Sequence, residues 1–302
     1  MDDLCQSGKI AARPNAFTYS TLINALVRSG NLQQAEDIFN HMVKTYQTDP
    51  TDPRVAKPNT IQLTQIASAW SKSGDKDAGI KAEELLTRLE NLYDEYREPK
   101  MRPNALTYTA VINAWARSRT FGKALRAVSV LQKMKRAYKS GNDGAVPNVN
   151  AYTAVLNACA FTVGDAQERK EAMQIAATAY KELCASTKTA GRPNQFTYAT
   201  FLRVCSNLIP GESKARVSSI YSVFKKCCDD GCVDELVLRV MRNELTDKQL
   251  GEMLQPMGIQ CEKQNGLRLN DVPAEWKCNI VAVGNAGKRG PRRGGKQQSS
   301  QQ

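Results

Sequence analysis

The sequence predicts an all-α protein, an α-solenoid of antiparallel helix-turn-helix repeats, on three observations. The first is a period. Pro-Asn recurs at Pro14-Asn15, Pro58-Asn59, Pro103-Asn104, Pro147-Asn148 and Pro193-Asn194, with successive prolines 44, 45, 44 and 46 residues apart. A fixed spacing of that size marks stacked supersecondary units rather than one globular core. The second is that each Pro-Asn opens a segment with apolar residues at i, i+3, i+4 and i+7, the stripe of an amphipathic helix. The third is that a turn signal follows, and then a second amphipathic stretch.

The first helices carry their stripes on Tyr19, Leu22, Ile23 and Leu26; Leu63, Ile66, Ala67 and Trp70; Tyr108, Val111, Ile112 and Trp115; Tyr152, Val155, Leu156 and Cys159; and Tyr198, Phe201, Leu202 and Cys205. Breaks at Ser29-Gly30, Ser73-Gly74, Arg119 to Gly122, Gly164-Asp165 and Pro210-Gly211 end them, as helix punctuation requires. Second helices are expected around Ala35 to Met42, Ala82 to Leu89, Ala127 to Met134 and Ala176 to Leu183, with small residues where helices would cross. The polar linkers that follow, such as Thr48 to Pro53, are expected to cap these helices and loop outward.

This pattern divides the chain into a partial repeat over 1–15, a solenoid of five to six units over 16–258, an irregular C-terminal cap over 259–283 and a disordered basic tail over 284–302. The partial repeat reads as half a unit, so the chain is expected to lack upstream sequence. Its acidic opening, Met1-Asp2-Asp3-Leu4, is no targeting segment. No run approaches the ~20 apolar residues of a membrane span.

The 42 Lys and Arg exceed the 30 Asp and Glu, a net charge of +12 that favours a polyanionic partner over a broad surface. Lys288, Arg289, Arg292, Arg293 and Lys296 in the tail supply part of it. Nine cysteines without framework spacing indicate a reducing compartment. Cys227, Cys228 and Cys232, with no histidine beside them, read as thiols at a helix end and not as a metal site.

No catalytic constellation stands out, and the chain reads as a non-enzyme without cofactor. The single histidine, His41, sits among polar neighbours, and no phosphate-binding glycine loop is present. Asp229, Asp230 and Asp234 cluster, but nothing downstream is long enough for a nuclease fold.

The helix opening X-Thr-Tyr-Ser/Thr at Phe17 to Ser20 and Leu106 to Thr109, echoed at Phe196 to Ala199, joins the paired-helix unit and the terminal Pro-Asn. Together these resemble the pentatricopeptide repeat family, in a long-unit variant of about 44–46 residues, over roughly Ala16 to Asp234. The resemblance implies a right-handed superhelix that binds single-stranded RNA at one nucleotide per repeat, as a monomer, in a mitochondrion or plastid.

Within the first three units, Phe17, Ser20, Asn24 and Arg28; Ile61, Thr64, Ser68 and Lys72; and Leu106, Thr109, Asn113 and Arg117 form one stripe beside the apolar face. Phe17, Ile61 and Leu106 are expected to wedge against bases, and Arg28, Lys72 and Arg117 to meet phosphates. In proteins that the chain resembles, the base edge is read by the residue after the tyrosine and the last residue of the unit. Here these are Ser20 with Asn59, Thr64 with Asn104, Thr109 with Asn148, and Thr153 with Asn194.

Hydroxyl plus amide is the combination the family associates with adenine, the hydroxyl donating to N1 and the asparagine accepting from N6–H. The fifth unit, with Ala199 and Asp234, is assigned no base. Two other readings stand beside this one: the asparagines as plain helix caps, and the groove as a scaffold for a peptide or protein. Trp70 and Trp115 are read as core.

Overall fold

The computed structural model describes residues 14–211, 213–259 and 267–281. These hold thirteen α-helices and no strand. The chain is an α-solenoid. Each unit pairs an inner helix with an outer one: α1 (Ala16–Arg28) with α2 (Leu32–Thr48), α3 (Thr60–Ser73) with α4 (Ala78–Tyr96), and α5 (Ala105–Arg117) with α6 (Lys123–Lys139). The series continues in α7 (Val149–Ala160) with α8 (Ala166–Ala185), then, after a single-turn α9 (Thr187–Ala190), α10 (Gln195–Leu208) with α11 (Lys214–Asp229), and α12 (Glu235–Glu244) with α13 (Asp247–Leu254).

The inner helices pack side by side in one layer, and α2, α4, α6 and α8 each seat against their own inner helix and the next one. One apolar core therefore threads the length of the stack, through Ile23, Phe39, Leu63, Leu86, Ile112, Leu131, Leu156, Leu183, Leu202 and Phe224. This is how a unit too small to bury its own stripe becomes stable.

Every Pro-Asn is a helix start. The asparagine sits in extended backbone and its Oδ1 accepts the N–H of the second or third helical residue, Asn15 from Thr18, Asn59 from Ile61, Asn104 from Thr107, Asn148 from Ala151 and Asn194 from Thr197. Asp234 does the same for α12, accepting from Val237 at 2.9 Å. The turn at Gly74 needs its glycine, because that residue closes α3 at φ +75°.

The linker at Thr48 to Pro53 stays on the surface as expected, but the next three depart from the expectation that they loop outward. After α4, α6 and α8 the chain makes one short turn, at Pro99–Met101, Asp143–Ala145 and Thr187–Ala190, and each turn buries one apolar side chain, Met101, Ala145 or Ala190. The long units are thus built from outer helices of 17 to 20 residues, with an inward plug after α4, α6 and α8.

Trp70 and Trp115 are core, as read from the sequence. Their indole N–H groups donate to outer-helix carboxylates of the unit before, Trp70 to Glu36 at 3.3 Å and Trp115 to Glu83 at 2.9 Å. At the far end, residues 267–281 fold back on the stack: Trp276 meets Phe224 edge-on, and Asn279 N–H donates to Gly231 O at 2.8 Å. Apart from Pro14 and Asn15, the partial repeat predicted over 1–15 lies outside the described residues, as do the tail predicted over 284–302 and part of the cap predicted over 259–283.

Candidate nucleic-acid interface

Counting from the cap asparagine, the stripe residues stand at the second, fifth, ninth and thirteenth places of each inner helix. Because the inner helices lie side by side, equal places repeat at equal heights along one face. At the second place Phe17, Ile61 and Leu106 are 79, 58 and 69 % exposed. Those values identify them as surface groups, for a helix packed on both flanks would bury side chains of this size unless the site faced an open groove. Asn150 and Phe196 continue the column, both exposed.

At the thirteenth place Arg28, Lys72 and Arg117 are exposed in the last helical turn of α1, α3 and α5, where the helix dipole favours a cation. None of the three forms an ion pair among the described residues. Phe161 and Asn207 take this place in α7 and α10, so the cation column covers three units.

The hydroxyls at the fifth place, Ser20, Thr64, Thr109 and Thr153, are half-buried, and their protons are committed. Ser20 Oγ donates to Ala16 O at 2.8 Å and Thr109 Oγ1 to Ala105 O at 2.6 Å. Thr64 Oγ1 lies 3.3 Å from Thr107 Oγ1, whose own proton goes to Asn104 Oδ1 at 3.1 Å. Since a hydroxyl has one proton to give, Thr64 is the donor. The same count makes Thr153 donate to Thr197 Oγ1 at 2.9 Å, because Thr197 donates to Asn194 Oδ1 at 3.2 Å.

On the amide side, Oδ1 of Asn104 and Asn194 each accepts two bonds, and Oδ1 of Asn59 and Asn148 accepts its cap bond, while the Nδ2 hydrogens are left. Asn59, Asn104, Asn148 and Asn194 make no Nδ2 bond among the described residues and are half-buried. These bonds favour the hydroxyl as acceptor and the amide as donor, the opposite of the roles expected from the sequence. Each hydroxyl offers a lone pair, and each asparagine offers N–H. Ala199, fifth place of α10, is buried and carries no polar atom.

Two features escaped the sequence reading. The five inner helices α1, α3, α5, α7 and α10 contain no aspartate or glutamate, while holding Arg28, Lys72, Arg117 and Arg203. Outer-helix acids meet donors instead: Glu36 and Glu83 bind the tryptophans, and Glu90 accepts from Tyr108 OH at 3.0 Å. Burial and Glu90 together push the Tyr108 phenol up from its usual range. The acid-free layer was countable from the sequence once the helix bounds were known. The other feature is the residue at the third place, which links hydroxyl to amide and is taken up below.

Residues considered for chemistry have structural roles. Asp234 is a cap, and Asp230 accepts from Tyr198 OH and pairs with Lys226. Burial pushes the Cys159 and Cys205 thiols up to about 12 and Cys232 up to about 11, so none is a thiolate near neutral pH. Among the described residues no group of His, Cys, Asp or Glu could hold a metal ion, and no helix is long and apolar enough to cross a membrane. His41 is exposed on α2.

Paired helices in series, with an acid-free inner layer that repeats the same few polar atoms unit after unit, define a helical-repeat protein. A PPR repeat family model matches residues 12–43, the first unit. That match supports the resemblance to the pentatricopeptide repeat family, a family of RNA-binding helical-repeat proteins. Comparison with curated proteins finds no match.

Proposed function

We propose that the inner face binds single-stranded RNA in a base-selective way, one nucleotide per repeat, with preference for a short adenine run. The observation that carries the proposal is the recurrence, at equal heights on an acid-free layer, of an exposed apolar wedge, an acceptor hydroxyl and a donor amide in successive units. A cation closes the stripe in the first three. The wedge suits a base face, the pair suits a base edge, and the cation suits phosphate.

The order of donor and acceptor narrows the base. A hydroxyl lone pair beside an amide N–H complements an amino group beside a ring nitrogen. With the hydroxyl set opposite the exocyclic group and the amide opposite the ring nitrogen, adenine meets the pair with N6–H and N1 and cytosine with N4–H and N3; in that register guanine and uracil, which present a carbonyl beside a ring N–H, meet it with like groups opposed. Stacking area on Phe17, Ile61 and Leu106 favours the larger purine, at about 1–3 kcal/mol per base. The pairs Ser20 with Asn59, Thr64 with Asn104, Thr109 with Asn148, and Thr153 with Asn194 then read four nucleotides, at roughly micromolar affinity. By family likeness we assign the protein to RNA processing, stability or translation in a mitochondrion or plastid, acting as a monomer and a non-enzyme.

The alternative, a scaffold for a peptide or protein, is disfavoured by the same repetition, since a peptide groove calls for varied apolar pockets. Retention of the full chain on immobilised single-stranded RNA, released over a narrow range of salt, is the expected result. A chain that passes through such a column would put the scaffold first.

A further inference from the structure

Between each hydroxyl and its amide partner lies the residue three places after the cap; in two of four pairs its side chain bonds both side chains, and in a third it bonds the hydroxyl and the asparagine's backbone N–H. Gln62 Nε2 donates to Ser20 Oγ at 2.9 Å while Gln62 Oε1 accepts from Asn59 N–H at 2.8 Å. Thr107 Oγ1 spans Thr64 Oγ1 at 3.3 Å and Asn104 Oδ1 at 3.1 Å. Thr197 Oγ1 spans Thr153 Oγ1 at 2.9 Å and Asn194 Oδ1 at 3.2 Å. All three bridging side chains are fully buried, so water does not compete for these bonds. The fourth pair, Thr109 with Asn148, has Ala151 at that place, and no bridge.

Capping alone explains the bond from Thr107 or Thr197 to its own asparagine. It does not explain the reach across the unit boundary to the preceding hydroxyl, which Gln62 makes with a different functional group. The two threonines share a proton order running from hydroxyl to amide, whereas Gln62 runs the other way, taking the Asn59 backbone proton and donating to Ser20 Oγ, whose own proton goes to Ala16 O.

We infer that a threonine at the third place of an inner helix, Thr107 or Thr197, is a positioning residue for the base-reading pair it bridges, taking the hydroxyl's proton so that a lone pair faces outward and holding the asparagine Oδ1 inward so that its Nδ2 faces outward. The inference rests on the base-reading proposal above. Bridged pairs discriminate by polarity. The unbridged Thr109 has one bond to give up, to Ala105 O at 2.6 Å, before its proton can face outward, and no buried side chain opposes that exchange, so it discriminates less.

The test is a binding scan of the full chain against A-rich RNA dodecamers in which one adenosine at a time is replaced by uridine, guanosine or purine riboside. Purine riboside lacks only the amino group that the hydroxyl lone pair would accept. Wild-type protein is expected to lose about three- to tenfold affinity for each substitution at a bridged position, the worth of one or two hydrogen bonds. Thr107→Val should reduce that loss to under about twofold at one position and leave the others unchanged, while Thr107→Ser keeps the wild-type profile. Ala151→Thr, in a helix that already folds without a hydroxyl there, should steepen the loss at the Thr109 position.

A Thr107→Val profile identical to wild type, or an equal weakening toward every oligomer, overturns the positioning role, as does an Ala151→Thr variant with no gain. A flat wild-type scan overturns base reading itself. Steps in the wild type that survive Thr107→Val overturn the bridge alone.

Discussion

Replacing Asn148 by aspartate separates the cap from the base-reading role. The structural task of Asn148 is performed by Oδ1, which accepts the Ala151 N–H at 3.0 Å, and aspartate is as good an N-cap as asparagine. Helix α7 has no acid in its first turn, so the new carboxylate should add about 0.3–1 kcal/mol through the helix dipole. Folding stability should therefore be unchanged or slightly raised. Binding should not follow. The substitution exchanges the Nδ2 donors for an acceptor oxygen, so an adenine N1 lone pair now faces a carboxylate.

Losing that hydrogen bond and opposing two acceptors should cost about 1–3 kcal/mol at one nucleotide, or roughly five- to 150-fold. Guanine offers N1–H and N2–H to the carboxylate, and the unbridged Thr109 can turn its proton to O6, so a guanine at this position should bind better than adenine. In Asn104→Asp the partner Thr64 is held by Thr107, and adenine should be lost without guanine being gained. Thermal melting with fluorescence anisotropy on A-rich dodecamers carrying one guanosine reads both effects. Unchanged adenine binding by Asn148→Asp, with melting also unchanged, would show that the amide is a cap and nothing more.

Truncating the wedges in a Phe17→Ala, Ile61→Ala, Leu106→Ala triple variant should barely move the melting temperature, because all three are exposed. It should weaken RNA binding by about 1–3 kcal/mol per site, seen by titration. Changing Arg28, Lys72 and Arg117 to glutamine should flatten the plot of log affinity against log salt by about 2, at roughly 0.7 per phosphate on a single strand. Lys123 is buried, donates to Ala116 O at 3.2 Å and Ser118 O at 3.1 Å, and is lowered by that burial to about 8. Its folded value lies below its unfolded one, so between about pH 8 and 10.5 the unfolded chain binds the extra proton and stability rises with pH. Denaturant titrations should show wild type gaining stability relative to Lys123→Met across that window, and a constant difference would contradict the assignment.

The fold was legible because its signals were local and repeated. Pro-Asn marks a helix start through cap chemistry that needs no tertiary context, and five stripes in phase fix which face of each inner helix is buried. The columns at Phe17, Ile61 and Leu106 and at Arg28, Lys72 and Arg117 followed from helix geometry for the same reason. Three of the linkers were misread because Met101, Ala145 and Ala190 look like isolated small or apolar residues in polar stretches; only the gap between outer helices turns them into plugs.

The polarity of the pairs was hidden too. An asparagine in a sequence has both an acceptor and two donors to offer, and it takes the cap bond at Oδ1 to remove one. A serine or threonine looks like a free donor until its proton is traced to Ala16 O, Ala105 O, Thr107 or Thr197. The bridging threonines were in view as part of the helix opening, but their contacts cross a unit boundary, between residues 43 or 44 apart in the chain.

The central claim is that this surface reads bases, and the direct measurement is a titration of the full chain with labelled A-, C-, U- and G-rich single-stranded RNA dodecamers at one fixed salt concentration. The account predicts tightest binding to the A-rich oligomer, then C-rich, with U- and G-rich weakest. Equal affinities for all four would leave an electrostatic RNA binder and contradict base reading, and G- or U-rich RNA bound best would contradict the proton order assigned to the pairs.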